Sequence, residues 1–167
     1  AVMGAISGIV AATGQTCIAG SRLLVQRSIH DRFVKRLIEV AGAAKIGDPM
    51  LMETHVGPVT TQPQYEKILH YMDVAREDGA TCVLGGKPYT GAGAKGGRFV
   101  EPTIFAGVNN AMRIAQEEVF GPILSVIPFE TEEEAVEIGN DIVFGLAAGV
   151  WTSDIGRALR LSEKLRA

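Results

Sequence analysis

The chain is organised around one short stretch, Gly14-Gln15-Thr16-Cys17-Ile18-Ala19-Gly20-Ser21-Arg22. This stretch places a thiol in a connector between an apolar helical run over residues 1–13 and a strand-like run over residues 23–25. Gly14 can end a helix in the left-handed conformation, and Ala19-Gly20 leave room for a ligand to approach the backbone. The stretch therefore predicts a helix, a cysteine-bearing turn and a strand, in that order.

Cys17 admits two interpretations from these residues alone. A cysteine at such a junction can attack an electrophilic carbon as its thiolate, while its own backbone N–H points at the oxyanion that forms. Cysteine is also among the most buried residue types and often acts as a small hydrophobe. A single cysteine without a located base is weak support for catalysis, so the stretch by itself favours the second interpretation.

Length and composition indicate one domain with its own core. A chain of 167 residues can bury such a core without disulfides. Ala1 opens inside a helical pattern without a cap and Ala167 closes inside another without a stop, so we expect a domain truncated at both ends. Nineteen acidic and 16 basic residues give a formal net charge of -3 with no basic cluster. This balance argues against nucleic acid and anionic membranes as partners.

The cysteines and histidines bear on the redox compartment and on metal binding. Cys17 and Cys82 are the only cysteines, which does not suit a secreted disulfide framework, and a reducing cytoplasm is expected. Cys82 is expected to fill the core within a strand over residues 80–84. The three histidines follow no metal-ligand spacing, so no metal site is predicted. The apolar start lacks a basic segment and is too short to span a bilayer.

Helices and strands are predicted to alternate along the rest of the chain. The predicted helices begin at Ser28, at a capping box of Thr61 and Gln64, at Thr131 and at Asp154. The predicted strands cover residues 22–26, 80–84, 123–129 and 146–151, with short extended pieces near 99–105. Residues 85–97 contain six glycines and are expected to form an exposed loop. The pattern predicts an α/β fold with an open, mainly parallel sheet and helices on both faces.

A second informative stretch runs from Gln116 to Val126. Two acids, a phenylalanine and a Gly-Pro turn lead directly into a predicted strand. A carboxylate just outside a strand end can accept hydrogen bonds from a ribose diol, and an aromatic side chain can pack on a planar ring. The same residues also suit a solvated acidic turn followed by a core phenylalanine. Taken alone, they favour that simpler interpretation.

Together the two stretches resemble one family. The segment from Gly14 to Arg22 is similar to the catalytic-cysteine signature of the NAD(P)-dependent aldehyde dehydrogenases, and residues 117–122 are similar to that family's cofactor-contacting motif. Three further pieces fall in the family's order around them: Ile46-Gly47-Asp48-Pro49, Gly57-Pro58 and Phe144-Gly145-Leu146-Ala147-Ala148. The ordered set covers essentially the whole chain, which resembles most of the catalytic domain of such an enzyme.

The resemblance implies a role for each matching residue. Cys17 would attack an aldehyde to give a thiohemiacetal, which passes a hydride to NAD or NADP and becomes a thioester that water hydrolyses to the acid. Glu118 would bind the nicotinamide-side ribose, and Phe120 would pack near the nicotinamide ring. The other implied positions are Gln64 and Lys67 near the cofactor ribose, and Thr16 and Ile18 along the aldehyde tunnel.

The resemblance also implies parts that residues 1–167 do not contain. These are the general-base glutamate, the asparagine that completes the oxyanion hole, and the cofactor-binding domain. We therefore expect the cysteine-bearing domain of a cytoplasmic homo-oligomer, dimer or tetramer, with little dehydrogenase activity by itself. Two alternatives are a cofactor-independent thiol esterase or acyl transferase using Cys17, and a non-catalytic assembly module with a buried Cys17. Neither the aldehyde nor the choice of NAD over NADP follows from these residues.

Overall fold

A computed structural model describes all of residues 1–167, and its centre is a four-stranded sheet. The strands are β1 (Arg22–Gln26), β2 (Thr81–Leu84), β3 (Thr103–Ala106) and β4 (Ile123–Phe129), in the spatial order β1-β4-β3-β2. Strand β4 pairs in parallel with both β1 and β3, whereas β2 pairs antiparallel with β3. The predicted open, mainly parallel sheet is confirmed, with one antiparallel edge strand.

Helices cover both faces of this sheet. They are α1 (Val2–Val10), α2 (His30–Gly42), α3 (Gln62–Glu77), α4 (Arg113–Gln116), α5 (Glu132–Asn140) and α6 (Ile155–Lys164). Side chains alternate across a strand, so Phe105 and Ile123 pack with α3 and α4 on one face. Ile104 and Leu124 pack with α1 and α2 on the other. The prediction of helices on both faces is therefore confirmed.

The first helix is less buried than its composition predicted. Ile6, Ile9 and Val10 pack into the core with α2, but Met3 is 65% exposed and Ser7 also faces solvent. An Ala- and Gly-rich helix is apolar around its whole circumference, yet only the stripe that meets another element becomes buried.

The start of α2 also differs from the prediction. Residues Arg27–Ile29 form a 3-10 turn, so Ile29 precedes the helix and Ser28 does not cap it. The helix ends at Gly42, three residues before the predicted end at Lys45. The tighter turn leaves the Ser28 side chain outside the cap position, so α2 begins without a side-chain cap.

The other predicted helix starts are confirmed. The Thr61 hydroxyl accepts a hydrogen bond from the Gln64 N–H at 3.3 Å, and the Thr131 hydroxyl accepts one from the Glu134 N–H at 3.2 Å. Asp154 caps α6 in the same way. Each cap satisfies an N–H that has no partner inside its helix. In the Thr61 box, however, the Gln64 side chain does not return to the cap residue and has a different role, described below.

The predicted strand over residues 146–151 does not form. Residues 143–151 are exposed, with Val143 87% and Leu146 62% accessible, and residues 142–153 make no hydrogen bond between main-chain groups. A strand needs a neighbour for its N–H and C=O groups, and no strand of the sheet lies beside this segment.

None of the six helices combines the length and apolar character that crossing a membrane requires.

Candidate active site

Cys17 lies in a tight turn that follows α1. Ala12 and Thr13 adopt φ values of 50° and 57°, and Gly14 follows at 68°. Three successive left-handed residues reverse the chain, although only glycine adopts this conformation without a steric cost. Backbone strain of this kind persists only where the surroundings fix it, and it clusters at functional sites.

Hydrogen bonds fasten this cysteine turn, defined here as residues 14–20, on two sides. The side-chain oxygen of Gln15 accepts bonds from the Thr60 N–H at 3.0 Å and from the Thr60 hydroxyl at 2.9 Å. The Gly20 N–H donates to the carbonyl of Gly8 in α1 at 3.2 Å. Cys17 itself is an exposed residue of this chain, whereas the alternative of a non-catalytic module predicts a buried one.

The second stretch meets the cysteine turn at a pair of glycines. A Cβ on Gly14 would lie 2.2 Å from the carbonyl oxygen of Gly121, and a Cβ on Gly121 would lie 2.6 Å from the Ile68 side chain of α3. Neither position accepts a larger residue without movement. Gly14 stands three residues before Cys17, and Gly121 directly follows Phe120. The backbones of the two stretches, far apart in sequence, are therefore in contact.

Phe120 is held in an unusual conformation by α3. Its φ is 60°, which is uncommon for a bulky side chain. The side-chain amide of Gln64 donates to the carbonyls of Val119 at 2.8 Å and Phe120 at 2.9 Å. Gln64 thus lies beside residues 119 and 120, and its amide hydrogens bond to the protein backbone. Its predicted position near a cofactor ribose stays a prediction.

Glu117 and Glu118 have different surroundings. The Tyr71 hydroxyl donates to the Glu117 carboxylate. Burial is the main cause that raises the pKa of Tyr71 to about 12, and this hydrogen bond is the second cause. The Lys67 ammonium lies 5.9 Å from the centroid of the Tyr71 ring. Glu118 is exposed and forms no ion pair or side-chain hydrogen bond within the chain. Its carboxylate is therefore available to accept hydrogen bonds from a ligand.

Thr16 and Ile18 flank the sulfur. Thr16 is half-buried, and its carbonyl accepts a 3.0 Å bond from the Ala19 N–H that closes the turn. Ile18 is 63% exposed. Thr16 and Ile18 are thus the sequence neighbours of Cys17, and their predicted place along an aldehyde tunnel stays a prediction.

Arg22 has a structural role that sequence reasoning missed. Its guanidinium donates to the Asn110 side chain at 2.7 Å and to the carbonyls of Ile138 at 2.9 Å and Gly139 at 3.0 Å. Burial lowers the pKa of Arg22, and nearby Asp141 opposes that shift. A cation beside the last carbonyls of α5 complements the helix dipole. The available signal was an arginine as the first residue of an otherwise largely apolar strand.

An open cavity lies away from these residues. It has a volume of about 660 Å³ and is lined by the end of α2 and the glycine-rich loop, with Lys45, Asp48, Glu53, Lys95 and Glu101 among its residues. None of its lining residues belongs to the cysteine turn or to residues 117–122. The candidate active site is therefore the exposed surface where those two segments meet.

Comparisons with known proteins identify the family of this chain. The model of the aldehyde dehydrogenase family matches residues 1–167. The chain is 47% identical to the betaine aldehyde dehydrogenase of Mesorhizobium japonicum over 167 residues, which are 100% of this chain and 34% of that protein. It is 46% identical to acetaldehyde dehydrogenase 2 of Cupriavidus necator over 155 residues, or 92% of this chain and 30% of that protein.

Solved structures show the same likeness. A crystal structure of betaine aldehyde dehydrogenase from Staphylococcus aureus in complex with NAD+ matches with a TM-score of 0.97 and 45% identity, over 99% of this chain and 33% of that one. A crystal structure of indole-3-acetaldehyde dehydrogenase with NAD+ matches with a TM-score of 0.95 and 49% identity, over 99% and 33%. The chain spans about a third of the length of these relatives. Because the family model matches its whole length, the chain belongs to the aldehyde dehydrogenase family.

Proposed function

We propose that residues 1–167 are the cysteine-bearing catalytic domain of an NAD(P)-dependent aldehyde dehydrogenase, which oxidises an aldehyde to a carboxylic acid. The contact between Gly14 and Gly121 carries this proposal, because it sets the thiol segment directly beside the acidic and aromatic segment. Membership of the family supports the same conclusion. The proposed whole protein is a cytoplasmic homo-oligomer.

In this proposal Cys17 is the nucleophile. Its thiolate forms a bond to the carbonyl carbon of the aldehyde, and the carbonyl oxygen becomes an oxyanion that the Cys17 backbone N–H stabilises as half of an oxyanion hole. Loss of a hydride from that carbon leaves a thioester on Cys17. Water then attacks the thioester, the carbon–sulfur bond breaks, and the acid and the free thiolate are released. The exposure of Cys17 gives the aldehyde access to the sulfur.

The residues around Phe120 fit the nicotinamide end of the cofactor. The free carboxylate of Glu118 can accept hydrogen bonds from both hydroxyls of a ribose, and Phe120, a half-buried residue two positions later, can supply an aromatic face. When bound, NAD(P) supplies the acceptor for the hydride. Lys67 and Gln64 line the same side of this segment. The NAD+ held by the two solved relatives favours NAD over NADP.

The proposed substrate class is an aldehyde that passes between Thr16 and Ile18 to reach the sulfur. The relatives are named for betaine aldehyde, acetaldehyde and indole-3-acetaldehyde. These three aldehydes differ in charge and in aromatic character, so the chemistry that they share is the aldehyde group itself. The side chains at positions 16 and 18 would contribute to the choice among aldehydes.

A second candidate function is a cofactor-independent thiol esterase or acyl transferase. The exposure of Cys17 at a strained turn favours it, since a reachable thiolate can also attack an activated ester. This function has no use for Glu118 or Phe120. Ester hydrolysis without cofactor, at a rate far above that of simple thiols, would support it.

The test is the formation of NADH from an aldehyde and NAD+ by the full-length protein that carries this chain. Wild type and the control Cys82→Ala should form NADH, whereas Cys17→Ala should lose at least about a thousandfold in rate because the nucleophile is removed. The control replaces the half-buried cysteine of β2. Retained activity in Cys17→Ala would overturn the proposed function.

A further inference from the structure

One face of α3 carries three polar side chains that follow the segment of residues 117–120. Gln64, Lys67 and Tyr71 are spaced at i, i+3 and i+7, so they lie on the same side of the helix. Gln64 and Tyr71 bond to opposite ends of the segment, and Lys67 lies over the Tyr71 ring between them. The segment therefore rests along this face.

The hydrogen bonds of Gln64 show what its side chain does. A carboxamide has two N–H donors and one oxygen acceptor. The donors of Gln64 meet the carbonyls of Val119 and Phe120 at 2.8 and 2.9 Å, so they are engaged before any ligand arrives. These two carbonyls flank the left-handed conformation of Phe120, whose φ is 60°. The amide thus supplies the local fixation that such a conformation needs.

Tyr71 acts at the other end of the segment. Its hydroxyl donates to the carboxylate of Glu117, which engages the first of the two adjacent acids. The raised pKa of Tyr71 agrees with a hydroxyl that stays protonated and donating. Glu118, the next residue, stays free and exposed. One acid is therefore fixed to α3, and the other is left for a ligand.

We propose that Gln64 and Tyr71 are positioning residues, a pair we name the α3 clamp. The clamp holds residues 117–120 at both ends and thereby sets where Glu118 and Phe120 stand beside the cysteine turn. The inference rests on the proposed function, in which Glu118 and Phe120 contact the cofactor. It reassigns Gln64, which the sequence places near the cofactor ribose, from a cofactor contact to a support of the backbone.

Hydrogen exchange tests the clamp without reference to catalysis. Peptides covering residues 117–123 should exchange about tenfold faster in Gln64→Leu than in wild type, because local opening of the segment becomes easier. Gln62→Leu is the matched control, since Gln62 lies on the same helix and bonds only to the exposed Glu66. It should leave exchange in these peptides unchanged. Unchanged exchange in Gln64→Leu would overturn the clamp.

Single-turnover NADH formation by the full-length protein separates positioning from direct contact. Gln64→Leu should lower the rate of hydride transfer about tenfold or more, since a small misplacement of reacting groups is costly, while the Kd for NAD+ stays within about threefold. A tenfold weaker Kd with an unchanged rate, or no change in either, would overturn the reassignment. If wild type forms no NADH, the proposed function fails, and the exchange result still decides whether the clamp exists.

Discussion

The cysteine turn and residues 117–122 meet at two glycines but are fixed in different ways. Left-handed backbone and main-chain bonds hold the cysteine turn, with Gln15 as its main side-chain tie. Residues 117–122 have main-chain bonds at Glu117 and Pro122, and between them side chains of a single helix, α3, hold the segment. The first segment therefore depends on conformations that few residues adopt, whereas the second depends on side chains that can be replaced one at a time. Substitutions should separate the two kinds of support.

The largest effect is expected from a substitution that disrupts the contact between Gly14 and Gly121. Gly14→Ala adds a Cβ that would lie 2.2 Å from the Gly121 carbonyl, at a φ of 68°. We expect the free energy of unfolding to fall by about 3 kcal/mol, which combines left-handed strain with displacement of packed backbone. Urea denaturation measures this loss.

Gly20→Ala is the matched control for Gly14→Ala. A Cβ on Gly20 would meet no atom within 4 Å, and its φ is not left-handed. Its free energy of unfolding should stay within about 0.5 kcal/mol of wild type. Equal stability of the two variants would show that the glycine contact does not hold the segments together.

The next effect concerns ligand binding by the second segment alone. Glu118→Gln keeps the size of the side chain and removes the negative charge that accepts the ribose hydroxyls, so the Kd for NAD+ should rise about tenfold. Titration calorimetry measures this change. The rate at which iodoacetamide alkylates Cys17 without cofactor should not change. The assignment of Glu118 would be wrong if the Kd were unaffected.

A smaller effect is expected when the side-chain hydrogen bonds of Gln15 in the cysteine turn are removed. Gln15→Leu removes the oxygen that accepts both Thr60 bonds, and we expect a loss of about 1 kcal/mol in the free energy of unfolding. The Kd for NAD+ should be nearly constant, because the Gln15 side chain forms no hydrogen bond with residues 117–122. A large rise in that Kd would mean that the two segments are not supported separately.

The smallest effect is a pH dependence of the stability that the Tyr71–Glu117 bond contributes. The pKa of Tyr71 is raised by burial and by Glu117 to about 12 in the folded protein, whereas an unfolded tyrosine titrates near 10. The folded state thus binds this proton more tightly, so its contribution is complete below about pH 10 and is lost as the pH rises toward 12. Wild type should lose more in Tm across this range than Tyr71→Phe. Parallel losses would contradict the Tyr71–Glu117 bond.

The sequence predicted those parts of the fold whose residues find partners within the chain. The strand over Arg22–Gln26 and the caps at Thr61 and Thr131 are local patterns with one stable outcome, and they formed as predicted. Residues 146–151 carry an equally good strand pattern but lie exposed without a neighbouring strand. A local pattern describes what a segment can pair with, and the pairing itself needs a second segment.

The candidate site shows a similar limit. The two motifs were visible in the sequence, because their residue types carry the chemistry. Their contact was not, since it depends on the absence of a Cβ at Gly14 and Gly121 and on the left-handed backbone of Phe120. The role of Gln64 was also hidden, because a capping pattern gives no information on where the side-chain amide points. Long-range geometry of this kind is fixed by packing and not by periodicity.

The most direct test of a shared site is the alkylation of the two cysteines by iodoacetamide in the full-length protein, with and without NAD+, followed by mass spectrometry of the tryptic peptides. Cys17 should react at least about tenfold faster than Cys82, because Cys17 is exposed and Cys82 is half-buried, and alkylation requires access to the thiol. NAD+ should change the rate at Cys17 but not at Cys82, since Glu118 and Phe120 would place the nicotinamide beside Cys17 alone. Equal rates at the two cysteines, or a Cys17 rate that ignores NAD+, would contradict a site shared by the sulfur and residues 117–122.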